Sequence, residues 1–340
     1  MNETLNVLVL VDFNDAIMNR LKNLSPRLKF TQSLARTANE IPREVWANTD
    51  ILYTARLLPE PDQALRLRWI QLHFAGIDSV IESPVIQNQN VILTTASGIH
   101  ASTIAEYTFA MMLAHARKIP LMLRHQARAE WSEKRFELFL PRELRGSTLG
   151  IVGYGSIGRA TARLAKAFGM TVLATKRNVM QPASRNEYEE EGVGDPQGEF
   201  ADRLYPPEAI RSMVGACDFV LVTLPLTPQT RGYIDASVFA AMQPHAIFIN
   251  VGRGGVVDED ALIAALKAGK LGGAALDVFA REPLPQSSPL WSMENVIISP
   301  HLAGNTSRYQ ERAADLFTEN LERYLEKKDL LNRVDLSSGY

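Results

Sequence analysis

Residues 147–176 read STLGIVGYGSIGRATARLAKAFGMTVLATK, and no other stretch narrows the possible folds so sharply. A short apolar run leads directly into Gly153-Tyr154-Gly155-Ser156-Ile157-Gly158. Beyond it Ile157, Ala160, Leu164, Ala165 and Phe168 recur at helical spacing, and a second apolar run follows. Strand, G-x-G-x-x-G, helix and strand, in that order, is the context a dinucleotide-binding turn requires. Each glycine has its own task. Gly153 permits the tight turn, Gly155 lets the backbone approach a pyrophosphate, and Gly158 lets the helix lie close to the strand. The helix N-terminus then offers free N–H groups and a positive dipole end to phosphate.

Around this stretch the chain is 340 residues long, about two domains. Its net charge of -2 gives no basic footprint for nucleic acid. Cys217 is the single cysteine, so no internal disulfide forms, and no Cys/His cluster has metal-binding spacing. No apolar run approaches the ~18 residues a bilayer span needs. The N-terminus enters an apolar run at once, without a signal peptide's basic segment and cleavage site. The expectation is a cytoplasmic protein with no metal, no nucleic-acid partner and no membrane association.

The first ~100 residues alternate strand-like runs (7–11, 29–34, 51–54, 69–73, 91–94) with helical segments, which implies a doubly wound α/β domain. No glycine precedes Gly76, and Asp12-Phe13-Asn14-Asp15 stands where a phosphate-cradling turn would be. This domain has the architecture of a nucleotide domain without the site. Its first glycine lies in Phe74-Ala75-Gly76-Ile77-Asp78, directly after a strand. Residues 101–119 predict a helix apolar nearly all round, with Pro120 just beyond it and periodicity resuming over 121–131. The domain crossover falls near 98–103. After the opening stretch, 178–207 lacks periodicity and reads as a solvent-exposed excursion with nothing to cover a core. Further strands are expected at 218–222, 246–251, 274–278 and 296–299, and a long amphipathic helix over 306–327.

Ligands of an open parallel sheet bind beyond the carboxyl ends of its strands. Arg253 follows one predicted strand, Asp277 closes the next with Glu282 five residues later, and His301 follows the last. Taken singly, each has an ordinary explanation as an exposed loop residue or a helix cap. Together, beside a dinucleotide turn, they suit hydride transfer to a keto acid. The arginine fork grips a carboxylate and polarises the carbonyl. Histidine supplies a proton, and a neighbouring carboxylate keeps it protonated.

These residues sit in an ordered set: Ala105-Glu106-Tyr107, GYGSIG, Leu224-Pro225-Leu226-Thr227, Asn250-Val251-Gly252-Arg253-Gly254, Leu276-Asp277-Val278-Phe279 with Glu282-Pro283, and Ser299-Pro300-His301 with Gly304. With that set the chain resembles the D-isomer-specific 2-hydroxyacid dehydrogenases over nearly its whole length. The loops at 74–78 and 98–100 are most similar to the glyoxylate/hydroxypyruvate reductase branch. The resemblance implies two doubly wound parallel-sheet (Rossmann/flavodoxin-like) α/β domains with the active site in the cleft between them. A substrate domain of 1–99 plus 305–340 would accompany a coenzyme domain of 100–304. It implies Arg253, Glu282 and His301 as the catalytic trio, with His301 the acid–base and Glu282 its partner. Substrate carboxylate would be shared by Ala75 and Gly76. Asp277 would meet the nicotinamide amide. Further cofactor contacts would come from Thr223, Leu224, Pro225, Val251, Gly252, Arg253, His301 and Gly304. Family members are typically homodimers through their coenzyme domains. The same fold also serves nucleotide-sensing corepressors, and a phosphite dehydrogenase-like oxidoreductase is a further alternative.

The chain departs from the family pattern in its long excursion and at the end of the strand after the glycine turn. An NAD site places an acidic residue about 20 residues beyond that turn. Here Ala174-Thr175-Lys176-Arg177-Asn178 holds no acid. Lys176 and Arg177 would attract a 2′-phosphate, so NADP is expected over NAD. The alternative is that both are surface cations at a strand end, with NAD held by hydroxyl contacts from Thr175.

Overall fold

The computed structural model describes residues 3–88, 90–183 and 186–336. The chain divides into two compact units: Met1–Ile99 with Arg185–Tyr188 and Thr306–Tyr340, and His100–Ser184 with Glu189–Asn305.

In the first unit β1 (Leu5–Val9), β2 (Leu28–Gln32), β3 (Ile51–Thr54), β4 (Trp69–Leu72) and β5 (Ile92–Thr94) form a parallel sheet in the order β2-β1-β3-β4-β5. β3 and β4 are buried throughout, as strands covered on both faces must be. Helix α1 (Asp15–Lys22) starts at Asn14, whose side-chain oxygen accepts the Ile17 amide at 2.9 Å. Its Ile17, Met18 and Leu21 are buried. α2 (Arg43–Asn48) buries Trp46. The C-terminal helix Tyr309–Leu325 joins the same core through Ala314, Phe317 and Leu321. The Phe317 ring lies 4.6 Å from that of Tyr53 and 5.5 Å from that of Trp69. Burying an aromatic of this size contributes roughly 2–3 kcal/mol.

The second unit begins with α3 (Ala101–Ala116), α4 (Ile119–Ala127) and α5 (Arg135–Leu138). Then come β6 (Thr148–Val152), α6 (Ser156–Ala167), β7 (Thr171–Thr175), β8 (Arg203–Tyr205), α7 (Ile210–Val214) and β9 (Phe219–Val222). α8 (Ala236–Ala241), β10 (Ile247–Asn250), α9 (Glu259–Lys267), β11 (Gly273–Leu276) and β12 (Val296–Ile298) complete it. Its seven strands run parallel in the order β12-β11-β10-β9-β6-β7-β8. β6 lies between β9 and β7, so the glycine turn after it stands where the strand order reverses. α3 is apolar on several sides because it is covered on several sides. Ile104, Phe109 and Met112 enter the core with Leu149, Ile151 and Ile249, while Ala101 and Ala105 pack on Ala160 of α6.

Three expectations change here. The helix predicted over 101–119 ends at Ala116, because Lys118 adopts a left-handed φ of 56°. Pro120 opens α4 rather than following a helix end, in the first turn that proline favours. The excursion is not simply solvent-exposed. It supplies the edge strand β8 with a buried Tyr205, and Asp195 at 2% exposure. Asp195 accepts the Tyr154 hydroxyl at 2.6 Å and the amides of Glu199 and Phe200 at 2.8 and 2.9 Å. Buried Arg159 donates to the carbonyls of Asp195 and Pro182. The third change is that Arg185–Tyr188 belong with the first unit, whereas the sequence implies one continuous domain over 100–304. Tyr188 packs beside Ala96, Ile99 and Leu316, and its amide donates to Asn332 Oδ1 at 2.9 Å. Asn332 also donates to the carbonyls of Thr95 and Ser97.

Candidate active site

The glycine turn is shaped from beneath by two threonines. Gly153, at φ 106°, donates its amide to Thr175 Oγ1 at 3.1 Å and accepts the Thr223 hydroxyl on its carbonyl at 2.7 Å. A Cβ on Gly158 would stand 2.4 Å from the Gly153 carbonyl oxygen and 3.0 Å from Ile151, so only glycine lets α6 lie this close to β6. Gly155 differs. Among the described residues no atom lies within 4 Å of where its Cβ would point, and no side chain caps α6. A helix start leaves about four amides without an internal partner. The amides of Ser156, Ile157 and Gly158 are thus first-turn donors with no acceptor inside the helix, an arrangement that fits a pyrophosphate.

Other members of the predicted cofactor set have different parts. Tyr154 is buried. Its amide donates to the Thr175 carbonyl, its hydroxyl to Asp195, and burial raises its phenol pKa far above the usual tyrosine value. Thr175 is also buried and shapes the turn through its hydroxyl. Lys176 is half-buried, and its Nζ donates to the carbonyls of Pro182 and Ala183 at 3.0 and 3.3 Å; Arg177 beside it is exposed. Leu224 and Pro225 follow β9, and a Cβ on Gly252 would stand 2.6 Å from the Leu224 carbonyl oxygen, so the two loops lie against each other. The Gly304 carbonyl is 3.2 Å from His100 Nδ1.

Parallel β10, β11 and β12 are neighbours, and their carboxyl ends bring the polar residues to one edge. Arg253 follows β10 and Val251-Gly252. Its turn is tied by Asn250, which accepts the Gly252 amide at 3.1 Å and donates to the Arg253 carbonyl at 3.2 Å. Arg253 Nη1 donates to the Gly252 carbonyl at 2.9 Å. His301 Nδ1 and Glu282 Oε2 are 2.8 Å apart, with side chains 50% and 38% exposed. Glu282 Oε1 accepts the Phe279 amide at 3.0 Å, which fixes the carboxylate. His301 Nδ1 is thus engaged, and Nε2 is the nitrogen left to meet a reacting group.

Asp277 is 1% exposed, and the protein supplies its carboxylate with three donors. These are the Ser299 hydroxyl at 2.5 Å and the amides of Leu302 and Ala303 at 2.8 and 2.9 Å. Tyr107 on α3 stands 2.6 Å from Ser299 Oγ. Asn250, Ser299 and Tyr107 therefore join the site without having been assigned a part from sequence. Each lies inside one of the ordered sequence motifs, which is the available signal. Ala75 and Gly76 belong to the first unit, at the carboxyl end of β4. There His73 Nδ1 is 2.8 Å from the Tyr53 hydroxyl, and the His73 carbonyl accepts the Tyr309 hydroxyl at 2.8 Å.

The model of the D-isomer specific 2-hydroxyacid dehydrogenase NAD-binding domain matches residues 109–303. The chain is 34% identical over 275 residues to a D-3-phosphoglycerate dehydrogenase of Methanocaldococcus jannaschii. That match covers 81% of the chain but 49% of the relative, so the chain spans about half the relative's length. With a glyoxylate reductase of Thermococcus gammatolerans it shares 33% identity over 294 residues, 83% of each. The crystal structure of a D-isomer specific 2-hydroxyacid dehydrogenase from Xanthobacter autotrophicus Py2, in complex with NADPH and MES, is similar at 29% identity and a TM-score of 0.80. That likeness covers 99% of this chain and 100% of the other. Among the described residues no helix is long and apolar enough to cross a membrane.

Proposed function

The chain belongs to the D-isomer specific 2-hydroxyacid dehydrogenase family of NAD(P)-dependent oxidoreductases, and on that footing we propose that it reduces a small 2-keto acid to the D-2-hydroxy acid. The glycine turn would hold NAD(P)H, whose chemistry there would be hydride donation to the keto carbon. His301 gives its Nε2 proton to the carbonyl oxygen, so the C=O becomes CH–OH. Glu282 holds the imidazole in place through Nδ1. Arg253 grips the substrate carboxylate as a planar fork. Ala75 and Gly76 would supply backbone donors to a substrate carboxylate, and Asp277 would hold the nicotinamide amide. The observation that carries the reading is the 2.8 Å His301–Glu282 pair at the carboxyl edge of the sheet that also bears the glycine turn.

Glyoxylate and hydroxypyruvate are the favoured substrates, on the loops at 74–78 and 98–100 and the likeness to a glyoxylate reductase. NADPH is favoured over NADH, since Lys176 and Arg177 follow β7 with no acid beside them. The reading places the protein in the cytoplasm as a homodimer through its second unit. There Leu123, Trp131, Phe136 and Leu140 are 58%, 85%, 76% and 67% exposed, apolar surface that suits a second copy. Sedimentation of the intact chain as a monomer overturns the dimer.

Steady-state kinetics with a keto-acid panel and both cofactors test the function. His301→Ala should lower kcat by roughly 10²–10⁴. Absence of turnover with every keto acid, or a His301→Ala variant as fast as the parent, overturns the reading. A roughly tenfold preference for NADH, about 1.4 kcal/mol, removes the 2′-phosphate claim alone.

A further inference from the structure

His301 occupies a left-handed backbone conformation, φ 56°, which a non-glycine residue holds only when its surroundings impose it. Here the imposition comes from Asp277. Its backbone carbonyl accepts the His301 amide at 2.9 Å, and its carboxylate accepts the next two amides, Leu302 and Ala303. One buried residue thereby fixes three consecutive amides of the loop that carries the histidine. The carboxylate is itself held by the Ser299 hydroxyl at 2.5 Å. Ser299 directs its proton to Asp277, so the Tyr107 phenol, 2.6 Å away, is the donor to Ser299. Burial raises the phenol's pKa, which keeps that donor protonated.

We propose that Tyr107 and Ser299 are positioning residues: their hydroxyl chain orients the Asp277 carboxylate and, through the amides of 301–303, sets the His301 imidazole against Glu282. This rests on the reading of His301 as the proton donor. The ring of Tyr107 packs against the core of its unit, so the hydroxyl, not the ring, is the part assigned this role. A donor chain acting on one carboxylate behaves as a unit. Cutting it at either link has the same result, and cutting both adds nothing.

The variants are Tyr107→Phe, Ser299→Ala, their combination, and Ser299→Thr, which keeps the hydroxyl. Each of the first two should lower kcat roughly 10- to 100-fold, the effect of misplacing a reacting group, with keto-acid KM nearly unchanged. The double variant should be no slower than the slower single one, and Ser299→Thr should recover parental kcat. Losses that multiply, a change in KM alone, or parental kcat in Tyr107→Phe overturn the proposal. Tyr107→Phe keeps the ring, so it answers alone if Ser299→Ala does not fold. A crystal structure of Tyr107→Phe separates this proposal from the functional reading. The His301–Glu282 pair should open beyond its 2.8 Å. A pair still at that distance overturns the relay even in a protein that reduces no keto acid, whereas an open pair in such a protein leaves the relay standing and removes the reading of the reaction.

Discussion

After β1 the chain enters α1 through Asp12, Phe13 and Asn14, and Asn14 Oδ1 takes the Ile17 amide at 2.9 Å. After β6 it enters α6 through Gly153, Tyr154 and Gly155, and among the described residues no side chain takes the first amides. Both turns join a parallel strand to the helix that covers it. They differ in what becomes of the helix start, with its unpaired donors and partial positive charge. In the first unit a side chain closes it, and the turn serves folding alone. In the second it is left open over a glycine, the arrangement proposed above to hold an anion. Two parallel-sheet units of different strand order thus treat the same kind of helix start in opposite ways.

The comparison can be broken most severely at Gly158. Gly158→Ala puts a Cβ 2.4 Å from a backbone oxygen, an overpacking that should cost about 3 kcal/mol and abolish cofactor binding. A thermal melt and a cofactor titration both at parental values would show that the close approach is dispensable. A milder test gives each helix the other's start. Gly155→Asn is sterically free and supplies α6 with the kind of cap α1 has. Its melting temperature should stay within about 2 °C, while NADPH affinity falls roughly tenfold or more because the new side chain competes for the phosphate amides. The smallest effect belongs to Asn14→Ala, which should lose about 1 kcal/mol, a few degrees of melting temperature, and no cofactor affinity. Unaltered affinity in the first, or lost affinity in the second, would erase the distinction between the turns.

What sequence reasoning reaches here is local. Glycines in fixed order after an apolar run, and polar residues directly after apolar runs, are read from neighbours, so the turn and the edge bearing Arg253, Glu282 and His301 are legible. Residues whose meaning comes from a distant partner are not. Thr175 reads as a ribose contact from its place at a strand end, yet register pairs it with Val152 and puts its hydroxyl beneath Gly153. Tyr107 lies in a helix so apolar that one hydroxyl carries no signal, and its partner is 192 residues away. Asp195 is a single acid in a stretch without periodicity, although it accepts three hydrogen bonds that fasten that stretch.

Because Arg185–Tyr188 belong with the first unit, the polypeptide passes between units at four places: 99/100, 184/185, 188/189 and 305/306. Neither unit is then a module that can be cut out as one segment of the gene. A chimera exchanging 100–305 between relatives would import the tip of the excursion without the Asn332 that receives the Tyr188 amide. Modular exchange in this protein requires the two to travel together.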